Sequence, residues 1–486
     1  MRTPKSRDLQ LTIDPLSSTP LYQQVYESIR QQIIEGALTE GDYLPSIKGA
    51  AETHSLSHIT IEKAYLQLAV EGYVDSIPRS GHVVNGIDTG FLKKAPRSNQ
   101  NEVAEIVAQS KRSGYFSEIS GGRTNRYDFS FARLEPGSFP TRTWLKLTGD
   151  ILHENDEVLT NYPIENRPTN LQTELASFLQ RTRGVNCTPK QIVATPSTEA
   201  ALTIVAQLFD GRKHRIGLEE PGYAAFAEIA GRFGYTVEAL PVNQGVEAFL
   251  EHLSRSNVKL VFATPSHQFP TGALMPLESR ISFLKLAARK NFYIIEDDSC
   301  NELRYNTRPI PSLQSLDTLD KVIYLGNFSK ILSPGLRTAY LVLPPKLLKR
   351  YYERFSTSFS AVPTVVQEAL ARFISEGHMD QHVRKMVTSN RKRHDALLAC
   401  IERTMKGRVS LSGVDSGLHF FATVHNGMTQ RQLIDSAAKQ GAKVYSSHWY
   451  WFEGKPPENQ LIIGFSAISL SDVPDGVRAL KRAWFE

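Results

Sequence analysis

Cysteine is scarce in this sequence, and long apolar runs are missing. The 486 residues include three cysteines, Cys187, Cys300 and Cys400, which lie far apart and form no CxxC pair. This spacing excludes a CxxC zinc motif and a disulfide-rich framework, so we expect a reduced cytoplasmic protein without a metal site. No apolar run approaches the length of a membrane span, and residues 1–20 contain no apolar segment typical of a secretory signal. We therefore expect no membrane partner.

The start of the chain lacks an excess of positive charge. Residues 1–84 contain 7 Lys and Arg against 10 Asp and Glu, a net charge of −3, although the whole chain has a formal net charge of +6. Residues 85–126 contain 7 Lys and Arg against 4 Asp and Glu, a net charge of +3. Any DNA-binding function of the first region must therefore depend on where individual cations are placed, because its total charge repels phosphate.

Residues 1–84 have the pattern of a winged helix-turn-helix domain. A helical apolar stripe begins near Pro20 and ends at Gly36, and the segment SIKGAAETH predicts a second, short helix. Ser57 can cap a third helix that ends at Gly72. The following segment, YVDSIPRSGHVV, predicts a hairpin. Three helices and a hairpin in this order are the outline of a winged helix-turn-helix.

The rest of the chain predicts a linker and a larger α/β domain, since 486 residues exceed what one simple core needs. Residues 85–126 are polar and weakly periodic, which is typical of a linker. From residue 127 onward, apolar strands alternate with helices, as in QIVATP, RIGLEEP, KLVFATP, FYIIEDD and KVIYLGN. This pattern predicts a large, mostly parallel sheet that binds ligands at the carboxyl ends of its strands. Beyond about residue 345, a long basic helix and the strands GLHFFATV and LIIGFSAI predict a smaller α+β lobe.

Two strand ends carry residues that can react with a ligand or bind one. Lys330 follows a strand in the segment YLGNFSKILSPGLR. A lysine at such a position can form a Schiff base with an aldehyde, although a solvated lysine is the common alternative. Asp297 is one of the acids at the end of the run FYIIEDD. Its carboxylate can hold a pyridine nitrogen protonated, or it can bind Mg²⁺.

Other strand ends supply groups that a phosphorylated planar cofactor needs. Ser197 and Thr198 begin a helix, where they can bind a phosphate or act as an ordinary N-cap. Arg337 is a candidate phosphate clamp or a surface arginine. Tyr223 can stack on a planar ring or belong to the core, and His267 is a polar group at a further strand end. Their combination at five strand ends favours pyridoxal 5′-phosphate as the cofactor.

These motifs resemble a known family over nearly the whole chain. The sequence is similar to the MocR/GabR-type transcriptional regulators, which join a GntR-like winged helix-turn-helix to a domain with the fold of fold-type I aminotransferases. The resemblance rests on the segments PLYQQVYESIRQQIIEGAL, EGYV, FPTRTW, EEPGY, TPSHQFPTG, IIEDD, YLGNFSK, PGLR, GLHFF and LIIGF. It implies an α/β fold class with three parts: a DNA-binding domain at residues 1–84, a linker at 85–126, and a cofactor-binding and effector-sensing domain at 127–486.

The resemblance also implies roles for individual residues. Lys330 matches the lysine that forms the Schiff base with pyridoxal 5′-phosphate. The other implied cofactor-binding residues are Tyr162, Ser197, Thr198, Tyr223, His267, Asp297, Asn327 and Arg337. Tyr162 matches a tyrosine that reaches the cofactor phosphate of the partner subunit, which implies a homodimer. The implied DNA-binding residues are Lys48, His58, Thr60, Arg79, Ser80 and His82.

Several positions depart from the family pattern. Ser299 stands where the family has a tyrosine that touches the ring hydroxyl of the cofactor. His448 and Trp449 stand where amino-acid-binding members have an arginine that clamps a carboxylate, so they are the candidate effector residues. Ala224 likewise replaces an arginine. The two replaced arginines argue against a carboxylate held in the usual way and against efficient transamination.

The leading hypothesis is a cytoplasmic, homodimeric transcriptional regulator that contains pyridoxal 5′-phosphate. It would bind double-stranded DNA with paired half-sites and sense a small amine or a vitamin B6-type effector. The alternative is a working aminotransferase with a fused DNA-binding module. A third hypothesis, a DNA-binding protein without the cofactor, is disfavoured because Lys330, Asp297 and Arg337 are all present. At most residual transaminase activity is expected.

Overall fold

The computed structural model describes most of the chain, namely residues 7–88, 104–105, 125–154, 160–161, 169–306, 310–356 and 360–486. The chain divides into two units, Met1–Lys111 and Arg112–Glu486. Each unit has an apolar core of its own. Most of the predicted linker at 85–126 lies outside the described residues, so its extent stays a prediction.

The first unit has the predicted order of three helices and a hairpin: α1 (Leu21–Glu35), α2 (Ile47–His54), α3 (His58–Val70), β1 (Val74–Ile77) and β2 (Gly81–Val84). Helix α1 ends at Gly36, whose φ of 79° is readily adopted only by glycine. The Ser57 hydroxyl caps α3 by accepting a hydrogen bond from the backbone N–H of Thr60 at 3.1 Å. Ile29 and Tyr65 lie in the core that the three helices and the hairpin share.

The second unit contains eleven helices within its described residues: α4 (Thr141–Glu154), α5 (Asn170–Arg183), α6 (Thr198–Gln207), α7 (Ala225–Arg232), α8 (Val246–Arg255), α9 (Leu277–Lys290), α10 (Pro345–Arg354), α11 (Thr364–Ser375), α12 (His378–Met405), α13 (Gln430–Lys439) and α14 (Val473–Phe485). Its strands are β3 (Tyr127–Asp128), β4 (Ile192–Thr195), β5 (Arg215–Glu220), β6 (Thr236–Pro241), β7 (Leu260–Ala263), β8 (Tyr293–Asp297), β9 (Val322–Asn327), β10 (Ala339–Val342), β11 (Val409–Ser412), β12 (His419–Val424), β13 (Ala442–Lys443), β14 (Tyr445–Ser446) and β15 (Gln460–Gly464).

A seven-stranded sheet forms the centre of the second unit, with strand order β4-β10-β9-β8-β7-β5-β6. The neighbouring strands β9, β8, β7, β5 and β6 are parallel to one another. In contrast, β10 runs antiparallel to both of its neighbours, β9 and β4. Successive residues of β7, such as Val261 and Phe262, belong to different apolar clusters, so both faces of the sheet are covered. The predicted α/β class is confirmed, but the sequence pattern does not predict that β10 reverses the direction.

The smaller lobe contains an antiparallel sheet with strand order β11-β12-β15-β14. Strand β3 pairs in parallel with β13, where Tyr127 lies opposite Ala442, so the first described strand of the second unit belongs to this lobe. The 28-residue helix α12 is the long basic helix that the sequence predicts. Among the described residues, no helix is both long enough and apolar enough to cross a bilayer.

Candidate cofactor site and DNA-binding surface

A cavity of about 240 Å³ opens where β4, β8 and β9 end. Eight of the nine predicted cofactor residues line it: Ser197, Thr198, Tyr223, His267, Asp297, Asn327, Lys330 and Arg337. The ninth, Tyr162, lies outside the described residues. Because the carboxyl ends of parallel strands meet at one edge of a sheet, residues from five separate segments converge here.

Lys330 lies on the loop that follows β9. Its Nζ donates a hydrogen bond to the backbone carbonyl of Phe131 at 3.1 Å and lies 5.6 Å from the centroid of the Phe131 ring. Burial lowers the pKa of the Lys330 amine, because the charged form loses hydration. A lowered pKa increases the fraction of neutral amine, which is the form that attacks an aldehyde.

Asp297 is the last residue of β8, and Ser299 holds its carboxylate. The Ser299 hydroxyl donates to Asp297 Oδ1 at 2.5 Å, and the Ser299 backbone N–H donates to the same oxygen at 3.0 Å. Burial raises the pKa of Asp297 to about 6, and the hydrogen bonds from Ser299 oppose that increase. The carboxylate is therefore mostly ionised at neutral pH and can pair with a protonated ring nitrogen.

Asn327 joins three of the elements that surround the cavity. Its Nδ2 donates to the hydroxyl oxygen of Ser299 at 2.6 Å and to the Thr198 hydroxyl oxygen at 3.3 Å. The side chain thus connects the end of β9 with the loop after β8 and with the first turn of α6. Ser299 does not reach outward as a tyrosine would, and its hydroxyl serves the Asp297 carboxylate.

The start of α6 and Arg337 form the end of the cavity that suits a phosphate. Ser197 caps α6, since its hydroxyl accepts a hydrogen bond from the Ala200 N–H at 3.1 Å, and the helix dipole adds positive potential. Arg337 Nη2 lies 3.8 Å from Glu199 Oε2, and its side chain is 60% exposed. Glu199 Oε1 also accepts a hydrogen bond from the Tyr223 hydroxyl at 3.1 Å. An exposed ion pair of this length is weak, so Arg337 can turn to a phosphate.

Another part of the cavity wall contains two buried histidines without charge. His267 Nδ1 lies 2.8 Å from the Ser416 hydroxyl oxygen, and His419 Nε2 lies 2.8 Å from the Pro270 carbonyl oxygen. Burial lowers the pKa of His267 to about 3 and that of His419 to about 4, so both rings are neutral at pH 7. The Phe131 ring packs against His419 at a centroid distance of 5.4 Å. This wall is therefore aromatic and neutral.

Sequence reasoning did not select several of these wall residues. His419, Phe131 and Phe269 line the cavity, yet only His419 and Phe269 lie within segments quoted for the family resemblance. Glu199 and Cys300 also line it. The signal for Phe269 was its position in TPSHQFPTG, whereas nothing in its local sequence distinguishes Phe131 from a core residue.

The predicted effector residues do not line this cavity. His448 and Trp449 lie in a short turn after β14, where His448 is exposed and Trp449 is half-buried. The next residue, Tyr450, is buried and packs against Phe269 at a centroid distance of 4.9 Å. An effector role for His448 and Trp449 stays a prediction.

The predicted DNA-binding residues of the helices lie on α2 and α3. Lys48 is exposed on α2, and its Nζ lies 3.9 Å from Glu52 Oε1. His58 is exposed at the start of α3, and the Thr60 hydroxyl lies 2.7 Å from that of Ser57. The helix-turn-helix consists of α2 and α3, and in this motif the start of the second helix contacts base edges. His58, at the start of α3, is therefore well placed on this surface.

The predicted wing residues differ in exposure. Arg79 and Ser80 are exposed in the turn between β1 and β2, and Arg79 adopts a left-handed φ of 65°. His82 is half-buried in β2, where its ring packs edge-on against Tyr65 at a centroid distance of 5.0 Å. Arg79 and Ser80 therefore form the accessible tip of the wing, while His82 supports it from inside.

Comparison with known families and proteins gives matches over both units. The family "Aminotransferase class I and II" matches residues 134–479, and "Bacterial regulatory proteins, gntR family" matches residues 21–84. The uncharacterized HTH-type transcriptional regulator YdeL of Bacillus subtilis is 33% identical, over 96% of this chain and 97% of its own length. The probable rhizopine catabolism regulatory protein MocR of Rhizobium meliloti is 30% identical, over 98% and 96%. These matches confirm the predicted family resemblance.

Two aminotransferases are among the solved structures that resemble this chain. The multiple substrate aminotransferase of Thermococcus profundus superposes with a TM-score of 0.70 at 23% identity, over 79% of this chain and 98% of its own. The alpha-aminoadipate aminotransferase LysN of Thermus thermophilus, solved with N-(5′-phosphopyridoxyl)-L-leucine, gives a TM-score of 0.68 at 25% identity, over 79% and 98%. The predicted aminotransferase fold of the second unit is thereby confirmed.

Proposed function

Since the chain belongs to the family of transcriptional regulators that join a GntR-type DNA-binding domain to an aminotransferase class I and II domain, we propose that it controls transcription in response to a ligand of its pyridoxal 5′-phosphate site. One observation carries this proposal. Lys330, Asp297 and Arg337 line a single cavity, in a chain that also contains a winged helix-turn-helix.

The residues of the cavity fit the cofactor group by group. Pyridoxal 5′-phosphate, when bound, supplies an aldehyde that reacts reversibly with amines. Lys330 offers a buried amine with a lowered pKa, and Asp297 offers a carboxylate at the end of β8. Arg337 and the positive end of α6 offer a place for the phosphate. The same cavity holds Tyr223 for the ring and Asn327 to connect these elements.

We propose a small amine or a vitamin B6-type compound as the effector. Among the described residues that line the cavity, Arg337 is the single arginine, and it lies beside α6 at the phosphate end. The part of the cavity wall that contains His267 and His419 is neutral, because both rings are uncharged at pH 7. That wall favours a ligand whose body is uncharged over one whose carboxylate needs a cationic partner.

Effector binding would change DNA affinity by shifting the population of two conformations of the protein. We propose a homodimer, because two linked winged helix-turn-helix domains would contact paired half-sites and compensate for the unfavourable net charge of −3 of residues 1–84. The cytoplasm, where bacterial DNA is accessible, is the proposed location.

The second candidate function is transamination. It is favoured by the presence of Lys330 and Asp297 in one cavity of a domain with an aminotransferase fold. It is disfavoured by the neutral wall, because ordinary amino-acid donors carry a carboxylate. Incubation with a series of amino acids and a 2-oxo acid separates the two, since an aminotransferase produces a new amino acid over many turnovers.

The test of the proposed function has a cofactor arm and a DNA arm. Full-length protein is saturated with pyridoxal 5′-phosphate, reduced with borohydride and digested, and we expect the cofactor mass on the peptide with Lys330. Lys330→Ala should lose this label, whereas Lys346→Ala, which removes an exposed lysine of α10, should keep it.

Binding to the upstream region of its own gene is measured in parallel by gel shift. A protein that takes up no cofactor, or that does not discriminate this DNA from random DNA, would refute the respective half of the proposal.

A further inference from the structure

A second cavity of about 370 Å³ lies in the second unit, and none of the described residues that line it also lines the cofactor cavity. It is bounded by the segment 135–140 that precedes α4, by the end of α11 and by the first half of α12. We refer to it as the α12 cleft. Its volume is within the range of small-molecule sites, which begins at about 300 Å³.

One face of α12 supplies the polar wall of the α12 cleft. His378, His382, Lys385, Ser389 and Arg393 all line it, and they follow one another at intervals of three or four residues. This spacing places them on one side of a helix. The wall therefore contains two permanent cations and two histidines, and an anion would be attracted to it.

Glu135, the single acid among the described residues that line the α12 cleft, is already paired. Glu135 accepts a hydrogen bond from Nη1 of Arg393, and Nη2 of Arg393 donates to Asn390 Oδ1 at 2.8 Å. The Glu135–Arg393 pair is close to neutral as a unit. Lys385 is exposed, so the net charge that a ligand would meet is positive.

Two buried nitrogen atoms in the wall have no hydrogen-bond partner among the residues that the structure describes. They are Nε of Arg393, a residue that is 4% exposed, and Nε2 of His382, a residue that is 8% exposed. A buried donor without a partner is unfavourable, so such groups call for an explanation. The Arg393 nitrogen can donate to an anion. The His382 nitrogen can donate when its ring is protonated and accept from a ligand hydroxyl when it is neutral.

The remaining walls are apolar. Phe139, Phe373 and Met386 line the α12 cleft, and the Phe373 ring lies 5.7 Å from the ring of His378. An aromatic surface beside cations suits a ligand with an apolar, planar body and one charged group. We propose that the α12 cleft binds a small aromatic anion with a carboxylate or phosphate group, as a second ligand site separate from the cofactor cavity.

His382 lies between the α12 cleft and the loop that contains Lys330, the predicted cofactor anchor. The nearby Ile331 backbone raises the pKa of His382, although burial lowers that pKa by more. Ile331 follows Lys330 directly in the chain. A ligand that changes the position or charge of the His382 ring would thus act one residue from the anchor, and the visible absorption of the bound cofactor would report it.

The test uses full-length protein whose cofactor has been fixed by borohydride, so that added anions cannot compete at the phosphate end of the first cavity. Phenyl phosphate, benzoate and inorganic phosphate are titrated separately by calorimetry. We expect one equivalent per chain of phenyl phosphate or of benzoate, with weaker binding of inorganic phosphate, which lacks the ring. If no cofactor is taken up, the same titration is done on the protein as purified, and the variants below distinguish the α12 cleft from the first cavity, because the described residues that line the two cavities differ.

Matched variants locate the site. Lys385→Gln should weaken binding about tenfold or more, since a hydrogen bond to a charged group contributes at least about 1.5 kcal/mol. Lys285→Gln, an exposed lysine on α9, should leave the affinity unchanged. Ser389→Trp should block the cleft, and Ser389→Ala should not. The proposal is overturned if neither aromatic anion binds at millimolar concentration, or if Lys385→Gln and Ser389→Trp both bind as tightly as the unmodified chain.

Discussion

Ser299→Ala should raise the pKa of Asp297 and thereby shift the pH range over which the protein holds its cofactor. The Ser299 hydroxyl donates a hydrogen bond of 2.5 Å to Asp297 Oδ1. Its removal leaves the backbone N–H of residue 299 at 3.0 Å as the remaining donor of this pair. Because the lost bond stabilises the ionised carboxylate, its absence favours the protonated form.

The size of the shift follows from the strength of that bond. A hydrogen bond to a charged group contributes about 1.5–3 kcal/mol, and one pKa unit corresponds to about 1.4 kcal/mol. The pKa of Asp297, about 6 in the unmodified chain, should therefore rise by about one to two units. At least about half of the Asp297 carboxyl groups would then be protonated at pH 7, and the protonated form cannot pair with a protonated pyridine nitrogen.

The assay is the affinity for pyridoxal 5′-phosphate as a function of pH, measured by visible absorption. Affinity should fall as pH decreases through the pKa of Asp297, and in Ser299→Ala this fall should begin at higher pH by at least about one unit. Ser299→Thr retains the hydroxyl and should behave like the unmodified chain. If Ser299→Ala and Ser299→Thr gave the same pH dependence, the Ser299 hydroxyl would not control this carboxylate.

Three further predictions concern separate parts of the chain. Lys48→Ala and His58→Ala should each weaken promoter binding in gel shifts and leave cofactor absorption unchanged, because both side chains are exposed on the first unit; normal DNA binding by both would remove them from the DNA surface. The free energy of unfolding of the second unit should decrease as pH falls from 6.5 to about 4, because the unfolded state protonates His419 while the folded state keeps it neutral. This residue accounts for a loss of at most about 3 kcal/mol. In urea denaturation, the stability of His419→Phe should depend less steeply on pH than that of the unmodified chain. Gly464→Ala should lower cofactor affinity, since the added Cβ would lie 2.4 Å from the backbone nitrogen of Phe131, whose carbonyl accepts from the anchor lysine; unchanged affinity would show that this segment relaxes without cost.

The sequence alone determined the class of the fold and the core of the cofactor site. The five apolar runs that predicted strands became β4, β5, β7, β8 and β9, because strands buried on both faces need nearly continuous apolar residues. Since such strands end at one edge of a sheet, polar residues at their ends predict a site before any contact is known. Lys330, Asp297 and Arg337 were identified in this way and line one cavity.

Only the tertiary structure decided which other side chains complete that cavity. Phe131 lies almost 200 residues before Lys330 in the chain, yet its carbonyl accepts the lysine hydrogen bond. His419 is neutral because its neighbours bury it, and no local pattern encodes that burial. Ser299 looked like a lost contact to the cofactor, whereas its hydroxyl is bound to Asp297.

The direction of β10 and the existence of the α12 cleft were also decided at the tertiary level. An apolar run carries no signal for whether a strand is parallel or antiparallel, because that choice depends on the path of the preceding chain. The basic face of α12 can be read from its spacing, but the cavity beside it exists only because the segment 135–140 packs across it. Local sequence determines which residues can serve a site, and the packing of distant segments determines what each of them contacts.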